Sequence, residues 1–130
     1  MEKRECIRFN IPGTTLFYKK TNKLGHSREY PDDYYPVLDL SRGGLRFLTN
    51  ERPKIGLPVE VKISIPETDH QPEIKGIVRW VARNLEKSYR YQTGIMFNAY
   101  GKRKKDNPSE ILSFFQSLEQ EHLSDRNPHG

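Results

Sequence analysis

One run of this sequence restricts the fold more than any other. Val59, Val61, Ile63 and Ile65 alternate strictly with Glu60, Lys62 and Ser64. Successive side chains of a strand point to opposite faces, so this run is a strand with one buried and one wet face. Pro66 ends it. The same test finds a longer strand over Ile74–Arg83, which places Gly76, Val78, Trp80 and Ala82 on one face and Lys75, Arg79 and Arg83 on the other. Tyr89, Tyr91, Thr93, Ile95 and Phe97 mark another. Val37–Leu40 and Leu45–Leu48 are short strands around the turn Ser41-Arg42-Gly43-Gly44. Phe9–Phe17 reads as a first strand, bent or broken at Pro12-Gly13. About six short strands at close spacing predict a barrel or sandwich. Residues 18–36, with Gly25, Pro31 and Pro36, form a polar connection that is long by loop norms.

One helix is expected. Asn107 suits the N-cap, Pro108 the first helical position, and Glu110 completes a capping box. Ile111, Phe115 and Leu118, with Leu112 beside them, recur at helical spacing and should lie on the barrel. The expected organisation is an arm over residues 1–8, a barrel domain with its helix over 9–123, and a disordered tail over 124–130. A chain of 130 residues suits one domain. Its apolar fraction of 34% is low, and a modest core follows.

Composition excludes several classes. No apolar run is long enough to cross a membrane as a helix. The opening Met-Glu-Lys-Arg-Glu-Cys has no apolar core, so no secretory signal is expected. The single cysteine, Cys6, allows no internal disulfide and fits a reducing cytoplasm. His26, His70, His122 and His129 have no metal-ligand spacing, so no metal or cofactor is expected. There is no nucleophile elbow, Walker loop or paired catalytic carboxylate, which argues against an enzyme. Net charge is +5, and residues 107–130 carry −3 of their own. A basic body with an acidic end favours an anionic partner.

Two constellations fit such a partner. Arg4 and Arg8 form an Arg-x-x-x-Arg pair on a segment with few apolar residues. A guanidinium donates two parallel hydrogen bonds to phosphate, or to O6 and N7 of guanine. The spacing alone is weak, because it recurs at Arg42/Arg46 and Arg79/Arg83 among 11 arginines. The alternative is a solvated terminus. The second constellation is Asp39, Ser41 and Gly44, an Asp-x-Ser-x-x-Gly pattern across a strand-turn-strand. A carboxylate accepts from N1–H and N2–H₂ of guanine, a serine hydroxyl donates to phosphate, and glycine lets backbone approach a ligand. A turn stabilised by its own Asp and Ser would use the same residues.

Together these residues resemble the PilZ domain family. Lys3-Arg4…Arg8 is followed by Asp39-Leu40-Ser41-Arg42-Gly43-Gly44. Gly56 then precedes the Val59 strand, and Gly76-Ile77-Val78-Arg79-Trp80 and Thr93-Gly94-Ile95-Met96-Phe97 come after it. The resemblance spans about residues 3–118. It implies a mainly β protein: a six-stranded antiparallel barrel with a C-terminal helix. It also implies a ligand, the bacterial second messenger cyclic di-GMP. By resemblance Arg4 and Arg8 grip phosphates and Hoogsteen edges, Asp39 and Ser41 hold a guanine and nearby phosphate, and Gly44 belongs to their turn. Lys3, Arg42 and Gly43 are secondary candidates. Lys3 stands where the family often has arginine or an apolar residue, so one or two ligand molecules both stay open.

The expected mechanism is coupled binding and ordering of the arm, read by an unidentified downstream protein, with the chain a monomer or homodimer. Two rivals are a sequence-tolerant RNA- or DNA-binding barrel, which ranks lower, and a docking module independent of ligand. Other features read as structural. Lys102–Lys105 is expected as a solvated linker, Tyr30, Tyr34 and Tyr35 as packing at a barrel end, and Trp80 as core alongside Val78.

Overall fold

The computed structural model describes residues 7–21, 30–85 and 88–126. The strands are β1 (Thr15–Lys20), β2 (Tyr35–Ser41), β3 (Gly44–Thr49), β4 (Pro58–Ser64), β5 (Glu73–Arg83) and β6 (Tyr91–Phe97); one helix, α1 (Ser109–Arg126), follows. The strands close into an antiparallel barrel in the order β1-β2-β3-β6-β5-β4, and β4 returns to β1. Closure gives each of the six strands a neighbour on both sides. This is the mainly β architecture that the sequence patterning and the resemblance predicted.

The alternating strand β4 behaves as its pattern dictates. Val59, Val61 and Ile63 are buried and register against β1 and β5. With Leu16, Leu40, Phe47, Ile74 and Val78 they fill the interior. Helix α1 covers one end of the barrel. Ile111, Phe115 and Leu118 are buried, and the Phe115 ring lies 5.8 Å from that of Phe97. Aromatic rings fill the other end, where Phe47 meets Tyr18 at 5.3 Å and Tyr35 at 6.1 Å.

Five expectations need correction. Phe9–Phe17 is not one strand. Phe9 makes an isolated bridge to Leu40, a turn at Pro12-Gly13 follows with Gly13 at φ 90°, and β1 begins at Thr15. Tyr89 lies outside β6, which starts at Tyr91. Asn107 does not cap α1. Its side chain is buried and hydrogen-bonds β5 instead, accepting from the Lys75 N–H at 2.8 Å and donating to the Lys75 carbonyl at 3.0 Å. Finally, Trp80 is not core. The β5–β6 register shifts between Val78 and Trp80, so Arg79 is one extra residue. Val78 stays inside, Val81 packs against the core, and Trp80 goes out. A bulge of this kind breaks the period of two that the sequence reading assumed. Helix α1 also continues to Arg126, past the expected boundary at 123.

Candidate functional site

Strand register assembles the site. Asp39 on β2 lies opposite Arg46 on β3. Arg46 lies opposite Gly94 on β6, and Gly94 opposite Trp80 on β5. A carboxylate, a guanidinium, a bare backbone and an indole therefore stand in one row across the outer wall. A register shift flanks each end of the row, between Val37 and Asp39 on β2 and between Val78 and Trp80 on β5. Bulges commonly re-aim side chains beside binding sites, and here they do so at both ends. The next row toward the turn is Ser41, Gly44 and Met96.

A cleft of about 320 Å³ lies on this wall, lined by Arg8, Ser41, Gly43, Gly44, Arg46, Arg79, Trp80, Gly94 and Met96 among others. Its volume is at the lower end of small-molecule sites. Asp39 is not in its lining but stands beside it, bonded to Arg8 and Arg46. Three larger open hollows lie elsewhere on the described surface, and none of these is lined by three arginines.

Asp39 is the electrostatic centre. Its side chain is 13% exposed and both oxygens are engaged. Arg8 Nη1 donates to Oδ1 at 3.0 Å. Arg46 donates to Oδ2 from Nε at 3.1 Å and from Nη2 at 2.8 Å. Arg8 is held at the site by its neighbours. Phe9 exchanges two backbone hydrogen bonds with Leu40, and the Asn10 side chain donates to the Leu38 carbonyl. Phe9 is buried, and its ring also meets His122 of α1 at 5.4 Å.

The turn residues divide by role. Ser41 Oγ accepts from the Gly43 N–H at 3.1 Å, so its hydroxyl serves the turn itself. Gly44 is needed for close approach: an added Cβ would lie 2.2 Å from the Ile95 carbonyl oxygen of β6. Gly94 is bare for a similar reason, since a Cβ there would lie 2.3 Å from the Trp80 indole. Arg42 turns toward α1. Its Nε faces Glu119 Oε2 at 3.3 Å with poor hydrogen-bond alignment, and its carbonyl accepts from the Tyr100 hydroxyl at 2.6 Å.

The structure thus brings Arg8, Asp39, Ser41, Gly43 and Gly44 together and points the Arg42 side chain to the helix. Lys3 and Arg4 lie outside the described residues, as do the other residues of 1–6 in the expected arm. Sequence reasoning missed Trp80 and Arg46. The signal for Trp80 was Val78 and Val81, two apolar residues three apart in a strand, which is the mark of an inserted residue. Among the described residues no group of His, Cys, Asp and Glu could hold a metal ion, and no helix is long and apolar enough to cross a membrane.

A family model described as PilZ domain matches residues 2–110. The chain belongs to the PilZ domain family. No curated protein sequence matches this PilZ chain. Two solved structures share its fold. The Bacillus subtilis inhibitor of motility (MotI/DgrA) aligns with a TM-score of 0.66 at 15% identity, over 97% of this chain and 54% of that one. The K. pneumonia MrkH–c-di-GMP complex aligns with a TM-score of 0.67 at 14% identity, over 100% of this chain and 57% of that one. This PilZ chain therefore spans little more than half the length of either, and at such identity the likeness is one of fold.

Proposed function

We propose that this chain is a non-catalytic receptor for cyclic di-GMP and that the ligand binds on the wall formed by β2, β3, β6 and β5. The observation that carries the reading is the Asp39 row. It sets a guanine-edge acceptor, arginine donors and an indole beside a cleft of about 320 Å³. Membership of the PilZ family and the fold shared with MrkH, described in complex with c-di-GMP, support it.

Each group has a task in this reading. Asp39 accepts from N1–H and N2–H₂ of one guanine. Arg8, joined by Arg4 from the preceding segment, binds phosphate or a Hoogsteen edge. Ser41 keeps its oxygen on the Gly43 N–H and donates its hydroxyl proton to phosphate, while Gly43 and Gly44 keep the turn open to it. Lys3 adds charge at the rim. Trp80 offers a face on which a base stacks, and Arg79 stands beside it as a further cation. The signal passes to a partner protein through rearrangement of the arm, and the expected setting is the bacterial cytoplasm.

Isothermal titration with cyclic di-GMP tests this, with GTP, cyclic di-AMP and a single-stranded oligonucleotide as controls. Selective, saturable binding is expected, and its stoichiometry gives one ligand or two. Arg8→Ala and Asp39→Ala should each weaken affinity about tenfold to a hundredfold while the protein stays folded. Absence of binding at high micromolar ligand, or unaltered binding by both variants, would refute the reading. A steep salt dependence with preference for the oligonucleotide would favour the nucleic-acid barrel instead.

A further inference from the structure

We infer that Arg46 is a positioning residue, holding Asp39 for the nucleobase, and that Arg8 is the partner Asp39 exchanges for ligand. The inference rests on the cyclic di-GMP reading above.

The two arginines hold the carboxylate very differently. Arg46 sends two nitrogens to Oδ2, at 3.1 and 2.8 Å. Its third, Nη1, donates to Gln92 Oε1 at 3.3 Å. Gln92 Nε2 donates in turn to Asn84 Oδ1 at 3.1 Å, and Asn84 Nδ2 to the Tyr89 carbonyl at 2.8 Å. A chain of hydrogen bonds therefore runs from Asp39 across β3 and β6 and ends on backbone. Arg46 is also rooted in a central strand, laddered to β2 on one side and β6 on the other. Arg8 makes one bond, at 3.0 Å, and its side chain is 54% exposed against 38% for Arg46.

The consequence follows from lone pairs. A guanine edge brings two donors to Asp39, and Arg8 sits on Oδ1. When Arg8 leaves, Oδ1 is free for the base and the released guanidinium is free for phosphate. Arg46 stays on Oδ2. It keeps the carboxylate aimed, so Asp39 loses little side-chain freedom at the moment of binding. It also offsets the negative charge that Asp39 would otherwise present to a dianionic ligand.

A double-mutant cycle tests this by titrating cyclic di-GMP into the parent, Arg46→Met, Asp39→Asn and the double variant, with thermal melts alongside. Arg46→Met should weaken binding about tenfold or more, and in the Asp39→Asn background its effect should shrink to about twofold. Arg46→Lys keeps the charge without the fork and should recover part of the loss. It also serves if the methionine variant fails to fold. Preference for cyclic di-GMP over cyclic di-IMP, which lacks the N2 amine, should narrow in Arg46→Met, an effect that loss of packing alone does not produce. Equal or tighter binding by Arg46→Met would overturn the inference, since Arg46 would then compete with ligand. So would an undiminished loss in the Asp39→Asn background, which would mean Arg46 acts on the ligand directly. A parent that binds no cyclic di-GMP would instead refute the receptor reading, and this inference with it, before any variant is compared.

Discussion

Trp80 rests over Gly94, and the space between them is closed. A methyl group at residue 94 would lie 2.3 Å from the indole nitrogen, so Gly94→Ala must push the ring aside. Trp80 is the single tryptophan of the chain, so its emission reports this displacement without interference. The expected result is a shifted emission maximum and weaker cyclic di-GMP binding in Gly94→Ala. Trp80→Ala should lose about tenfold to a hundredfold in affinity, the worth of one base–aromatic stack. An unchanged spectrum, or parental affinity in Trp80→Ala, would remove the indole from the site. At this scale the sequence was legible where chemistry is local. Asp39, Ser41 and Gly44 fall within one strand-turn-strand, as their spacing implied, although their types fit a guanine-bearing ligand and a self-stabilised turn equally. Arg46 was not legible, because Arg42/Arg46 is one of several arginine spacings and only the register across β2, β3 and β6 sets it apart.

Asn107 shows why element ends resist sequence reading. Its type and its place before Pro108 fit an N-cap, and an Asn in that position usually is one. Here the side chain is buried and bonds both backbone groups of Lys75 and the Asn98 carbonyl, so it stands in for a missing strand neighbour of β5. The difference is tertiary and leaves no local trace. Asn107→Ala should cost about 2–3 kcal/mol in chemical denaturation, because it takes the partner from the Lys75 N–H and removes a buried side chain that makes three hydrogen bonds. A loss near 1 kcal/mol, the usual worth of a cap, would restore the capping role. The strands themselves were legible wherever period two is unbroken, as in β4. It failed at the extra residue in β5, where Ala82 and Trp80 exchanged faces with Val81. It failed again at Phe9, where a turn separates a buried anchor from the strand that follows.

The whole molecule has a chemical asymmetry between its ends. Helix α1 seals one end with aliphatic and phenyl side chains, and tyrosines crowd the other. Burial raises the pKa of Tyr18 and Tyr35, and nearby Glu51 adds to both shifts. Tyr30, on the outer wall, is pushed well above the usual phenol range by burial and then by Glu73 and Glu60. A phenol whose pKa rises on folding binds its proton more tightly in the native state. Its stabilising effect is therefore complete below the unfolded value of 10.0 and is lost as pH climbs above it. Thermal stability should hold steady from neutral pH to that point and then fall, and Tyr18→Phe should flatten the fall. A decline setting in well below it, or one unaffected by Tyr18→Phe, would assign alkaline instability to other groups. At this scale one amphipathic stripe placed the helix against the sheet, whereas strand count left barrel and sandwich both open, and only the resemblance to the PilZ family implied closure.

One seam of the wall is much shorter than the rest. Strands β1 and β2 share two residue pairs, Thr15 with Pro36 and Leu16 with Tyr35, and proline brings no N–H to the ladder. The four strands that carry the Asp39 row are joined by longer ladders. Local opening at the short seam costs few hydrogen bonds and leaves the β2–β3–β6–β5 panel in register. The seam between β1 and β2 thus lies outside the panel that carries the Asp39 row.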